Sequence, residues 1–117
     1  MLASGDAPRR ERLDAALGTS WLRRLARREP IDVPAVHIGS AAILLVPAEA
    51  FVQYQLWAQE AAPQTMVMTL GYGECAPGYI PTNGAVAEGY NDHYSWLDFP
   101  TCEATLRSAM AEALAVP

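Results

Sequence analysis

The chain has 117 residues, enough for one domain that buries roughly two thirds of its unfolded surface, and its composition of 51% apolar and 18% charged residues excludes a disordered chain. Its net charge of −5 is unevenly spread: residues 1–29 hold seven of the eight arginines against four acids (+3), and residues 30–117 hold one arginine against nine acids (−8). An acidic body argues against nucleic acid as the main partner, because phosphate binding needs a continuous basic surface that releases counterions.

The start, MLASGDAPRRERL, lacks the apolar core of a signal peptide, and no run has the length of a membrane span. Residues 8–28 then read as a helix, with Leu13, Ala16, Leu17, Trp21, Leu22 and Leu25 at three- and four-residue steps and arginines on the opposite side. Arg23, Arg24, Arg27 and Arg28 read as a solvated face rather than as a grip on lipid headgroups. Gly18-Thr19-Ser20 predicts a break or recapping, with Thr19 or Ser20 as the N-cap of a second segment.

The period then changes. Val33, Val36 and Ile38 form a short β segment, Gly39-Ser40 supplies a glycine-first hairpin turn, and Ala42 to Val46 form the return strand, closed by Pro47. His37 in the first segment is a structural or surface imidazole. AEAFVQYQLWAQEAA predicts a helix with Phe51, Tyr54, Gln55 and Ala58 on one side and Val52, Leu56 and Gln59 on another. Glu49 falls in its first turn, where the helix dipole favours a carboxylate. Pro63 stops this helix and Thr65 to Leu70 is the next strand, so strand, helix and strand make a β-α-β crossover with its two strands parallel.

Residues 71–99 form a connection longer than ordinary loops, with four of the five tyrosines and five of the eight glycines. Pro100 to Ala115 predicts the last helix, with Thr101 as N-cap, Glu103 in the first turn and Leu106, Met110, Ala113 and Leu114 buried. The expectation is a single α/β domain over 1–117. A helical segment (1–30) is followed by a small sheet made of a hairpin and a β-α-β unit (31–70), a site loop (71–99) and a C-terminal helix (100–117). Cys75 and Cys102 are expected as thiols rather than a disulfide, since a chain with an adequate core has little need of a staple.

Open α/β sheets place ligands beyond the carboxyl ends of their parallel strands. Glu49 follows one such end, and Tyr72 and Tyr79 follow the other. Taken as lone residues, the glutamate is a dipole partner and the tyrosines are packing residues with hydrated hydroxyls. A metal site from Glu74, Cys75, Asp92 and His93 is the weaker arrangement, because its one close pair, Asp92-His93, is adjacent in sequence and seldom converges on one ion. A Cys75-His93 nucleophile pair lacks any marked oxyanion hole or orienting third group.

The ordered set LLVPAEAFVQYQ, a strand, GYGECAPGYIPTNGAVAEGY and a terminal amphipathic helix resembles the C-terminal part of the catalytic domain of the neutral/alkaline non-lysosomal ceramidases and their bacterial relatives. The resemblance runs from about Ile31 to Leu114. It implies a fragment of a larger α/β hydrolase domain, with Glu49 and Tyr79 as zinc ligands and Tyr90 polarising the substrate amide or stabilising its tetrahedral intermediate. The implied activity is zinc-dependent hydrolysis of N-acyl sphingoid amides to sphingoid base and fatty acid. The family's histidine ligands lie upstream of the matched region, and neither His37 nor His93 falls on their positions, so the resemblance also implies that this chain is inactive alone. Asn91-Asp92 stand where relatives carry a glutamate directly after the second tyrosine. Relatives are commonly secreted or membrane-associated, through leader segments that this sequence does not show. The implied partners are a ceramide-like lipid amide and the rest of the catalytic domain. The alternative expectation is a non-catalytic α/β module that uses the stripe of its first helix to form a homodimer or bind a partner protein.

Overall fold

A computed structural model describes residues 6–73, 78–90 and 101–115. The chain divides into two compact units, Met1–Pro30 and Ile31–Pro117.

The first unit is one helix, α1 (Arg9–Arg27), which runs unbroken through Gly18-Thr19-Ser20. The expected break is absent because the Thr19 hydroxyl donates to the Ala15 carbonyl at 2.7 Å, within the helix's own ladder, instead of capping a new segment. Arg28 ends the helix in the left-handed conformation (φ 54°), and the N–H groups of Arg28 and Glu29 return to the carbonyls of Leu25 and Arg24. No residue of α1 is buried.

The second unit is a small mixed α/β domain. Strands β1 (Ala35–Ile38) and β2 (Ala41–Leu45) form an antiparallel hairpin, with Val36 opposite Ile43 and His37 opposite Ala42. Gly39 has φ +59° while Ser40 keeps a negative φ, as a glycine-first hairpin turn requires. A Cβ at Gly39 would meet no atom within 4 Å, so backbone strain alone opposes one. Gly39→Ala is therefore expected to lower stability by about 1 kcal/mol in urea unfolding, with Gly39→Asn milder because asparagine tolerates left-handed backbone.

β2 continues through a bridge strand, β3 (Glu49–Ala50), into helix α2 (Val52–Ala61), which returns the chain to β4 (Met66–Leu70). β4 lies parallel to β2, from Ala41 opposite Met66 to Leu45 opposite Leu70, giving a three-stranded sheet ordered β1-β2-β4. The β-α-β crossover expected from the hydrophobic pattern is thus present. Alternation sends Ala42, Leu44 and Val67 to one face, where they meet Tyr54 and Ala58 of α2 and Leu106, Met110 and Leu114 of helix α4 (Thr101–Ala115). The four-residue spacing of those three α4 residues is the stripe read from the sequence. Thr101 is the first residue of α4 rather than its cap. Cys102 packs half-buried against the core, and Cys75 lies outside the described residues. His37 is exposed, its Nε2 3.4 Å from the Ala113 carbonyl, in keeping with a surface imidazole.

Residues 71–99 are more than a loop. They contain a second bridge strand, β5 (Tyr79–Ile80), parallel to β3, and a short helix, α3 (Asn83–Ala87). Thr82 caps α3 by accepting from the Ala85 N–H at 3.1 Å, and the Glu103 carboxylate of α4 accepts from the Asn83 N–H at 2.6 Å. Glu103, expected only as a dipole partner of its own helix, also tethers α3 to α4. Among the described residues no helix is long and apolar enough to cross a membrane.

Candidate functional site

The site is built where β2 and β4 run out of sheet. Val46 and Pro47 are buried, and Ala48 then takes a left-handed conformation (φ 57°), an uncommon state for a residue with a Cβ. That bend swings the chain away from the line of β2. On the other strand Tyr72 adopts φ 57° as well, and its N–H donates to the Ala48 carbonyl at 2.7 Å. One residue on, the Gly73 N–H donates to the Val46 carbonyl at 2.9 Å, and a Cβ on Gly73 would lie only 2.9 Å from that same oxygen. A side chain there would force the two strand ends apart. Left-handed backbone at two residues with side chains, fastened to each other, is the strained geometry that clusters at ligand sites.

Glu49 is not in the first turn of α2, as its sequence position led us to expect. It sits in β3, directly opposite Tyr79 of β5, because its N–H donates to the Gly78 carbonyl and that of Phe51 to Ile80 before the helix begins. Ile80 is fully buried and Ala50 packs on the core, so alternation turns Glu49 and Tyr79 together to the opposite side. The Tyr72 phenol completes the group. It is exposed, and its pKa is raised first by donating a hydrogen bond to the Glu49 carboxylate, then by desolvation, then by the charges of Glu49 and Tyr79. Three oxygen-bearing side chains from two strand ends therefore share one rim.

Tyr90 lies in a different segment, just beyond α3. Its N–H returns to the Ala85 carbonyl at 2.9 Å just beyond α3, and its ring meets that of Phe51 edge to face at 5.0 Å. Phe51 lies two residues after Glu49 and packs against the core, so the contact places the Tyr90 ring beside Phe51. Of the three residues singled out in the sequence, Glu49 and Tyr79 stand side by side, and Tyr90 touches Phe51. The role of Tyr72 as partner of Glu49 was not foreseen. Its signal is the flanking pair Gly71 and Gly73, which lets the backbone of this strand end approach Val46 and Ala48 closely.

As a metal centre the donor set is partial. Zinc sites use at least three protein ligands, drawn from Cys, His, Asp and Glu. Among the described residues no three of these gather, and Glu49 with Tyr79 offers one carboxylate and one phenol. These residues do not by themselves complete a zinc site. Glu74, Cys75, Asp92 and His93, the other local candidates, lie outside the described residues. What the arrangement supplies is a carboxylate with one phenol beside it across the bridge, Tyr79, and a second, Tyr72, near enough to feel its charge. Comparisons with family models, with curated proteins and with solved structures find no match to this chain.

Proposed function

We propose that the chain is the C-terminal segment of a zinc-dependent amidohydrolase resembling the neutral ceramidases, acting on N-acyl sphingoid amides. The observation that supports this reading is the side-by-side pairing of Glu49 with Tyr79, two residues 30 positions apart that the resemblance assigns to one metal. Hydrolysis adds a hydroxyl to the acyl carbon and a proton to the leaving amine. Glu49 and Tyr79 would supply two of the oxygen ligands of a bound zinc, with Tyr72 close to the same carboxylate. Tyr90 donates its phenolic hydrogen to the carbonyl oxygen as negative charge develops there. Zinc, when bound, lowers the pKa of a water to about 7 and leaves a position open for the substrate carbonyl. Histidines from the rest of the catalytic domain complete the ligand set, so this chain by itself neither holds the metal tightly nor turns over.

Zinc titration and a fluorogenic ceramide assay test this. The isolated chain is expected to retain less than one zinc and to release no fatty acid. Co-expression with the histidine-bearing upstream half of a neutral ceramidase is expected to restore both, and Glu49→Gln to remove both again. One-to-one submicromolar zinc on the isolated chain, unaffected by Glu49→Ala, would place the metal elsewhere and end the proposal.

A second reading, a non-catalytic module that works by association with another protein, is favoured by the exposed leucines of α1. The neighbouring DNA discriminates: an adjoining frame encoding a histidine-rich hydrolase domain supports the first reading, and an isolated gene supports the second.

A further inference from the structure

Most of a helix's stability comes from burying its apolar side, yet no residue of α1 is buried, and Leu13, Leu17, Leu22 and Leu25 are each more than half exposed. Leu13, Leu17, half-buried Trp21 and Leu25 make one row at four-residue steps, with Leu22 beside it. At about 100° per residue, Arg9, Arg12, Arg23 and Arg27 fall within about 60° of one another, roughly 150° round from Trp21. From Arg9 to Arg28 seven arginines stand against two acids, Glu11 and Asp14, for +5 in a chain of −5. Arg27 shares its charge with Glu29 at 3.5 Å.

We propose that α1 is an interfacial helix that lies in the plane of an anionic lipid surface, with its leucine row and Trp21 at the boundary of headgroups and acyl chains and its arginines among the headgroup charges. Leucine and tryptophan on one side, arginine on the other and a strongly polar average are the profile of helices that bind in this way. Eight charged residues among its nineteen bar α1 from crossing the bilayer instead.

Both sides of the helix bear on the choice of partner. Solvent alone would satisfy the arginines, but it leaves the leucine row wet. A protein groove that covered the row would face away from the four arginines opposite. A charged lipid surface takes the row into its apolar boundary and still acts on the far side, because the helix is about 10 Å across, which is about the reach of electrostatics at 0.1 M salt.

Flotation of the full chain with vesicles at about 0.1 M salt is the test, with phosphatidylcholine alone and with about one third phosphatidylserine added. Because the whole chain carries −5, attraction to the anionic vesicles has to come through α1. Binding at least about tenfold tighter to the anionic vesicles is expected. Arg12→Ser with Arg23→Ser is expected to weaken it about 25-fold, at about fivefold per charge, and Leu17→Glu by more than about tenfold, with far-UV circular dichroism unchanged. Should Leu17→Glu lose helix, Leu13→Gln probes the same row. Absence of binding to anionic vesicles overturns the proposal, as does equal binding to phosphatidylcholine alone. Binding that survives either the arginine or the leucine substitutions also overturns it. A chain that ignores vesicles but doubles its mass in light scattering overturns it too, and assigns the leucine row to a protein contact.

Discussion

Replacing Gln55 and Gln59 together with leucine is expected to cost about 3–5 kcal/mol of stability, seen as a lower urea midpoint with little change in slope. The reason is the position of β4 at the edge of the sheet, where its outward backbone groups face no further strand. The two glutamines of α2 act as that strand. Gln55 donates to the Val67 carbonyl at 2.8 Å and accepts from both the N–H and the hydroxyl of Thr69 at 2.7 Å. Gln59 donates to the carbonyls of Thr65 and Ala62 and accepts from the Val67 N–H at 3.0 Å. A side-chain amide presents a carbonyl and an N–H together, as a peptide group does, and leucine keeps the bulk while removing both. Each lost bond is worth about 1 kcal/mol net, because water reaches these partly buried groups only in part. The two substitutions should not add simply, since Val67 bonds one glutamine through its N–H and the other through its carbonyl. The double variant should also aggregate, because the opened edge lies beside the exposed Met66, Met68 and Leu70. A loss below about 1 kcal/mol would mean that water satisfies the edge as well as the amides do.

The glutamines show where sequence reading stops. Hydrophobic period revealed the hairpin, the β-α-β unit and the buried stripe of α4, because burial of one face leaves its mark on every second or every fourth residue. It assigned Gln55 and Gln59 only to sides of a helix, since nothing local says that a polar side chain will meet a strand edge. Glu49 was misplaced for a related reason. A carboxylate ahead of a helix looks the same whether it serves the dipole or sits in a bridge, and the difference is made by Gly78 and Ile80, about thirty residues downstream. The register also shifts. Ala41 and Met66 are 25 residues apart across β2 and β4, whereas Glu49 and Tyr79 are 30 apart across β3 and β5, so five extra residues intervene on the second strand's side. No periodicity encodes that offset. The pairing of Glu49 with Tyr79 was legible only as an ordered set of residues, and the Tyr72 contact with Glu49 only once both left-handed residues, Ala48 and Tyr72, were in place.

Tyr54→Ala is expected to remove about 3–5 kcal/mol, in the range for deleting a buried aromatic ring. Tyr54 is 1% exposed and packs edge to face on Trp57 at 5.2 Å, while its hydroxyl donates to the buried Pro81 carbonyl at 3.0 Å. Arg107 of α4 in turn lies 4.3 Å above the Trp57 ring, so the Tyr54–Trp57 pair links α2 to α4 and to the residue that follows β5. Tyr54→Phe separates the two contributions. It keeps the ring and leaves the Pro81 oxygen without its donor, which should cost about 1–3 kcal/mol. Alkaline pH supplies an independent check. Burial raises the phenol's pKa, the negative charges of Cys102 and Glu103 raise it further, and Arg107 partly offsets them. The unfolded phenol ionises near pH 10 and the folded one only at higher pH. Above about pH 10 the unfolded chain therefore binds fewer protons, and the stabilisation, fully present below that pH, is lost as pH rises. Wild type should weaken over that window and Tyr54→Phe should lose much of the dependence. Equal slopes in the two proteins would mean that the phenol is wetter than its burial implies. Because Pro81 directly follows Tyr79 and Ile80, the same substitution should also loosen the strand that places Tyr79 opposite Glu49, read as faster amide exchange across the β3-β5 bridge in Tyr54→Phe.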